Sequence, residues 1–484
     1  MNDKIISYSL WTLLTLVSCS FIFTTCQSTK EAGKNIPTSP PNLVLILADD
    51  LGYADVGFNG CKDIPTPNID QIAKAGVTFT NGYVSWAACG PSRAGILTGR
   101  YQDRFGFSRN PLFAPNDPAQ GLPLSEQMLS EALRQADYKS VAIGKWHLGA
   151  HPSQRPLRRG FDDFFGFLTG GHRYFPEEWT LADEYEVTSQ YEAYRTKLLR
   201  NNERIEETEY LTDALSREAV NYIQKYKDDP FFIYLAYNAP HAPLQASEKY
   251  LDRFDHITDK KRKIYAAMVS AVDDGVGQVL DQLESLGLTE NTLVVFLSDN
   301  GGPEHVNASD NGPLRGKKGE LFEGGIRVPF TMSWPAKIPA GTVYEKTVSA
   351  LDIFPSIMAQ SGDNTPPRNP LDGVNLFPYL TGEQSGSPHE ILYWQFYDRQ
   401  EVAIRHGDKK LIYSAKKTLL FNLEDDLGEQ QNQADDQEAT VIQLRQKQQL
   451  WMSQMPDAAF LGLLQDDEYN QLHPDRFKRP ENNK

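Results

Sequence analysis

"NLVLILADD", residues 42–50, decides how this chain folds. Leu43 to Leu47 form an apolar run too short for most helices, with no polar alternation to mark a solvent face. Such a run suits a strand buried on both sides of a parallel sheet. It ends on two carboxylates, Asp49 and Asp50. Three further runs repeat the pattern. "SVAI" (140–143) leads into "GKWHLG", with Lys145 and His147. "FFIYLAY" (231–237) leads into "NAPHAP", with His241, and "TLVVFL" (292–297) into "SDNGG", with Asp299 and Asn300. Helical segments fall between the runs. "EQMLSEALRQA" puts Met128, Leu129, Ala132, Leu133 and Ala136 on one face, and "AAMVSAVDDGVGQVLDQLESLG" stops at Gly287 as its C-cap. The fold class is therefore α/β, a mostly parallel sheet sandwiched by helices. Ligands of such sheets bind outside the carboxyl ends of the strands, where all four runs deliver polar groups.

Each strand end alone has an ordinary reading: Asp-Asp as a turn or cap, "DNGG" as a turn, a histidine as a structural one. Four in succession point to one site. Asp49, Asp50, Asp299 and Asn300 offer only oxygen. That suits a hard divalent cation, Ca²⁺ ahead of Mg²⁺, and not a thiolate zinc site. Lys145, His147, His241, Arg93 and Lys318 offer positive charge and proton carriers. A metal and several cations facing one crevice make a site for a tetrahedral oxyanion, sulfate or phosphate.

Composition agrees with an enzyme-sized globular chain. Its 484 residues, 40% hydrophobic and 11% aromatic, support a large core and exclude general disorder. Lys and Arg number 48 against 64 acidic residues, a net charge of -16, which argues against nucleic acid or anionic membrane as partners. Residues 1–26 read as an export leader: Lys4, then "LWTLLTLVSCSFIFTTC", interrupted by Ser and Thr and so a signal peptide in place of a spanning helix. Cys19 or Cys26 is the candidate lipidation site, with residues 27–40 as a polar tether. The expected location is exported, as a periplasmic or outer-membrane lipoprotein, touching membrane only through that anchor. Past the leader only Cys61 and Cys89 remain, too few for a disulfide framework. Cys89 pairs with Cys61, lies buried and inert, or does chemistry.

Cys89 opens "CGPSRAGILTGR" (89–100), which resembles the signature of type I sulfatases, Cys-x-Pro-Ser-Arg followed by Leu-Thr-Gly-Arg. "LVLILADDLGYADVG", "GKWHLG", "SDNGG" and "NGPLRGKKGELFEGGIRVP" resemble the family's other blocks in the family's order. The resemblance covers most of the chain from about Pro41 onward. It implies an alkaline phosphatase-like fold and a sulfuric ester hydrolase. It also implies that a formylglycine-generating maturation enzyme converts Cys89 to formylglycine. One hydroxyl of the aldehyde hydrate then attacks sulfur, and the other, once deprotonated, expels sulfate as the carbonyl reforms.

The resemblance also implies the roles. Asp49, Asp50, Asp299, Asn300 and residue 89 hold Ca²⁺. Arg93 steadies the hydrate and the metal carboxylates, and His147 takes the second hydroxyl's proton. Lys145 and Lys318 neutralise the sulfuryl oxygens, and His241, with Lys318, protonates the departing alcohol. Lys317 stands where many members have glycine, so Lys318 is the better match to the active-site lysine. Residue 89 is placed at a helix N-terminus, where backbone N–H groups favour an anion. Cys61 is left as the only free thiol. A phosphatase or phosphonate monoester hydrolase of the same superfamily is the alternative.

The catalytic domain is expected over 41–380. "TPPRNPLDG" (365–373) and "TGEQSGSPHE" (381–390) read as linker, and 385–484 as a smaller α+β subdomain. "EILYWQFY", "EVAIRHGDKKLIYSA" and "TLLFNL" suggest an antiparallel sheet, with "ATVIQLRQKQQLWMSQM" as a helix packed on it and "HPDRFKRPENNK" as a frayed tail. The substrate expected from an exported setting is a sulfated oligosaccharide. Algal polysaccharides such as ulvan or carrageenan come first, glycosaminoglycans or aryl sulfates second. His172 and Arg173, with Tyr174 and Trp179 in "GFLTGGHRYFPEEW" (166–179), mix aromatics with cations in a way that suits an anionic sugar. Trp394, Phe396 and Arg405 do the same.

Overall fold

The four apolar runs are neighbours at the centre of a ten-stranded sheet. A computed structural model describes residues 39–479; the leader, with Cys19 and Cys26, and nearly all of the tether lie outside the described residues. Across the sheet the strands run Thr342–Tyr344, Val77–Phe79, Phe330–Ser333, Thr292–Ser298, Asn42–Ala48, Phe231–Ala236, Lys139–Lys145, Asp163–Phe167, Leu199–Arg200 and Glu203–Arg204. The five from Thr292–Ser298 to Asp163–Phe167 are parallel, and antiparallel pairing begins on either side of them.

The unbroken hydrophobicity of residues 43–47 follows from packing. Leu43, Leu45 and Leu47 join the core on one face, and Val44 and Ile46 the core on the other. All five are at most 1% exposed, and each such burial contributes about 1.5–3 kcal/mol. The helix read from 266–287 spans Lys260–Ser285, starting where Asp259 Oδ1 accepts from Arg262 N at 2.8 Å. Gly287 follows it with φ +68°, as its expected stop requires. The helix read from 126–136 spans Leu129–Gln135.

A second sheet of four antiparallel strands, Ile391–Phe396, Glu401–His406, Lys409–Ser414 and Lys417–Asn422, lies near the C-terminus. Helix Glu438–Met452 packs on it. Leu444 joins Ile404, Leu411 and Leu420, and Gln448 Nε2 donates to the carbonyls of Val402 and Leu411. The opposite face packs on the approach to the Cys89 helix, through Trp86, Ala87 and Ala88. The tail does not fray over its described part. Arg476 is 4% exposed, donates to Phe113 O at 2.9 Å and pairs with Asp466 at 2.6 Å. An arginine with a fixed carboxylate and carbonyl to bind holds the polar segment down. No helix among the described residues is long and apolar enough to cross a membrane.

Candidate active site

The helix Cys89–Thr98 begins at Cys89 after extended Ala88 and ends at Gly99, φ +66°. All ten residues are buried. Gly90 is required by space: a Cβ there would stand 2.8 Å from Pro111 Cδ and 3.0 Å from Asn110 Oδ1. Asn110 Oδ1 accepts from Gly90 N at 2.8 Å, fixing the first turn beside Cys89. Nothing around Asn110 in the sequence marks that role, since Asn before Pro reads as a turn.

Beside this turn the strand ends converge. The carboxylates of Asp49, Asp50 and Asp299 gather within 4.8 Å of one another, and Asp49, Cys89 and His241 form a second such group. Arg93, fully buried, reaches Asp299 Oδ2 through Nε and Nη2 at 2.8 Å and Lys145 O through Nη1 at 3.2 Å. Lys145 Nζ lies 2.5 Å from Asp49 Oδ2, and Lys318 Nζ 2.6 Å from Asp50 Oδ1. Lys318, not Lys317, is thus the lysine of the cluster. Asn300 Nδ2 donates to Asp50 Oδ1 at 2.7 Å. Three carboxylates meet three cations, so the cluster is formally neutral, and a divalent ion would make it attractive to an anionic ester.

Two buried oxygens, Asp49 Oδ1 and Asn300 Oδ1, have no hydrogen-bond partner. Leaving such atoms unpaired costs about 1–3 kcal/mol each. An all-oxygen set with orphaned lone pairs fits a hard divalent cation. Burial and the Asp299 charge push Asp49 up to about 7 against the pull of Lys145 and Arg93. Burial also raises Asp50, yet Lys318 and His241 overcome it and hold that group at about 2.

Both histidines of the crevice, His147 and His241, are pushed toward the neutral form. His147 is buried and held at φ +57°, and neither ring nitrogen has a partner. Burial and the charges of Lys145, Arg93 and Lys318 hold its pKa well below the ordinary value. Room for its ring comes from Gly170, where a Cβ would meet His147 Nε2 at 2.8 Å. His241 Nδ1 donates to Ala242 O at 2.5 Å, which leaves Nε2 as a bare acceptor 3.7 Å from Asp50 Oδ2. Burial takes His241 down to about 3. Tyr174 Oη spans the carbonyls of Asn238 and His241, at 2.9 and 2.7 Å, and so positions this loop.

Cys61 and Cys89 are not bonded to each other. Burial raises the Cys89 thiol, so it stays protonated, and burial pushes Cys61 up to about 11. Neither is a ready thiolate.

Most of the expected sugar-binding residues have other duties. His172 is fully buried against Phe167 and Trp179, with its ring nitrogens on the carbonyls of Arg173 and Thr196. Arg173 pairs with Glu178 at 3.3 Å, and no described contact brings it to the cluster. Trp394 is core, donating to Val84 O at 2.7 Å. Arg405 is 5% exposed and bonded to Tyr83 and to Asn81. An aromatic-plus-cation composition suits a buried network as well as a sugar platform. Phe396 alone of the set lines a cleft beside Ala88.

The sulfatase family profile matches residues 41–362, and the profile described as N-sulphoglucosamine sulphohydrolase, C-terminal, matches 317–455. Human N-acetylgalactosamine-6-sulfatase is 36% identical over 358 residues, 70% of this chain; the match spans 66% of that relative's own length. The uncharacterized sulfatase YdeN of Escherichia coli K12 is 31% identical, over 76% of this chain and 73% of its own. The crystal structure of Ps i-CgsB in complex with k-i-k-neocarrahexaose superposes with a TM-score of 0.83 at 39% identity, covering 91% of this chain and 100% of that one. With the signature cysteine, the oxygen cluster and the opposing cations in one buried crevice, the chain belongs to the sulfatase family.

Proposed function

We propose that this chain hydrolyses sulfate esters of a sulfated carbohydrate, with carrageenan-type galactan oligosaccharides as the first substrate class and ulvan oligosaccharides next. The observation that carries the reading is the buried set of three carboxylates and three cations around the helix that starts at Cys89. The neocarrahexaose complex of Ps i-CgsB supports the galactan choice. A glycosaminoglycan is the second reading, favoured by the relatives named N-acetylgalactosamine-6-sulfatase.

Residue 89, matured to formylglycine, would supply an aldehyde hydrate as the nucleophile. Asp49, Asp50, Asp299 and Asn300 would hold Ca²⁺, which when bound polarises a sulfate oxygen and acidifies a neighbouring hydroxyl. The chain's own groups do the rest. Arg93 fixes the Asp299 carboxylate and presents positive charge toward residue 89. Lys145 Nζ and Lys318 Nζ offset charge that develops on the sulfuryl oxygens. His147, neutral and with both nitrogens unpaired, accepts a proton from residue 89. His241 Nε2 is an acceptor here, so Lys318, held charged by Asp50, is the first proton carrier for the leaving oxygen. Export as a lipoprotein through Cys19 or Cys26 belongs to the same reading, and mass spectrometry of the mature N-terminus tests it. The main test incubates matured protein with sulfated oligosaccharides, and with one aryl alcohol as its sulfate and its phosphate ester. Sulfate release is expected. Release of phosphate alone would overturn the proposal in favour of the phosphatase alternative.

A further inference from the structure

A cavity of about 280 Å³ opens beside the nucleophile turn, lined on that side by Ala88 and Asn110. Gly462, Leu463, Leu464 and Gln465 line the same cavity, next to Asn110. These residues lie beyond both matched profiles, which end at 362 and 455. The segment is nevertheless built into the catalytic face. Ala459 N donates to Gly106 O at 2.8 Å, and Leu463 N to Asn110 O at 3.2 Å. Phe460 packs edge-on against Phe107, and Tyr469 Oη donates to Asp117 Oδ2 at 2.7 Å. Arg109 ties two walls together: Nη1 donates to Phe460 O at 2.8 Å and Nε to Asp398 Oδ1 at 3.0 Å. Against this rigid backing, Leu464 stands 78% exposed and Tyr191, also on the cavity, 67% exposed.

The charges select the occupant. Arg109 is neutralised by Asp398. Arg399 lies over the Phe396 ring, 4.8 Å from its centroid, and donates to Gly319 O at 2.6 Å, with no carboxylate partner among the described residues. The lining thus offers apolar and aromatic faces, a few polar groups and one uncompensated positive charge. A sugar ring bearing a single acidic group fits that chemistry.

We propose that the C-terminal segment 456–479 forms one wall of a subsite for a sugar ring adjacent to the sulfated unit, with Leu464 and Tyr191 against its apolar faces and Arg399 facing its acidic group. This rests on the sulfate-ester reading of the site. It makes the enzyme a reader of oligosaccharide and not of the lone sulfated ring.

The test uses the full chain with Cys89→Ala, titrated calorimetrically with a carrageenan-type sulfated hexasaccharide and with a sulfated monosaccharide. Leu464→Asp and Tyr191→Ser, on separate segments, are then added singly, with circular dichroism confirming the fold. The hexasaccharide is expected to bind more tightly than the monosaccharide. Each variant should weaken hexasaccharide binding about tenfold and leave the monosaccharide unchanged. Equal binding of the two probes by the parent, or unchanged hexasaccharide binding in both variants, overturns the inference. Matured enzyme provides a second readout: the variants should raise KM for the hexasaccharide without changing kcat on an aryl sulfate. Failure to release sulfate from any ester would sink the proposed function, and the binding result stands apart from that outcome.

Discussion

Lys410→Met tests how the second sheet supports the catalytic crevice. Lys410 is fully buried, with Nζ 2.8 Å from Glu323 Oε1 and 2.9 Å from Glu429 Oε1. Glu429 Oε2 also accepts from Glu323 N at 2.7 Å, and Glu429 O accepts from Arg315 Nη1 at 2.6 Å. These bonds bracket the segment that carries Lys318. Methionine keeps the volume and leaves two buried carboxylates facing each other, a loss of about 3–5 kcal/mol. Unfolding entropy of roughly 2 cal/mol/K per residue amounts to about 1 kcal/mol per degree in a chain of 484 residues. The melting temperature should therefore fall by about 3–5 °C, and turnover should fall as Lys318 loses its support.

The deficit depends on pH with a fixed sign. Burial, with the Glu323 charge, raises Glu429 from 4.5 to about 7. A carboxyl raised on folding is at its most favourable while protonated, so its ionisation subtracts stability as pH rises from 4.5 toward 7. Without Lys410 that loss deepens. The deficit should be smaller at pH 5 than at pH 8, and adding Glu429→Gln should recover part of it. Thermal melts by circular dichroism and sulfate release at both pH values provide the assay. A Lys410→Met protein that melts and turns over like the parent at pH 8 refutes the reasoning.

Three further outcomes are expected. Chelation should lower both sulfate release and melting temperature, because an ion held only by the folded state at about 100 times its Kd contributes about 2.7 kcal/mol; no change in either after exhaustive chelation removes the ion from the account. Gly90→Ala should cost about 1–3 kcal/mol by overpacking against Pro111 and Asn110, and should lower kcat by displacing residue 89; melting and steady-state kinetics check both. His389 sits 2.7 Å from Asp352, which outweighs burial and raises its pKa above 6.5. Its contribution is fully present below pH 6.5 and is lost as pH rises through the folded value, so the melting advantage over His389→Gln should be larger at pH 5.5 than at pH 9.

The parallel strands were legible because burial on both faces removes polar alternation, as in Leu43–Leu47. The groups that follow them were legible because chain direction in such a sheet sends every strand end to one edge. The margin strands were not: Val77–Phe79, Phe330–Ser333 and Thr342–Tyr344 are three or four residues long and carry too little periodicity. Asn110 and Tyr174 were missed as positioning residues because each acts through a backbone group far along the chain. The surroundings of His172 were not legible, because a histidine among aromatics looks the same in sequence whether its ring faces a ligand or, as here, two carbonyls.

The crevice is stitched across long stretches of chain: Asn300 to Asp50 over 250 positions, Arg93 to Asp299 over 206, Lys145 to Asp49 over 96. Closing such loops is entropically unfavourable until the intervening sheet pays it back. The oxygen cluster with its opposing cations needs everything from Asp49 to Lys318 in place. An ion held by this cluster would therefore be bound only when the intervening sheet is folded. A change in the central strands that populates the unfolded state, however distant from Cys89, should lower the apparent affinity for that ion in proportion to the fraction unfolded.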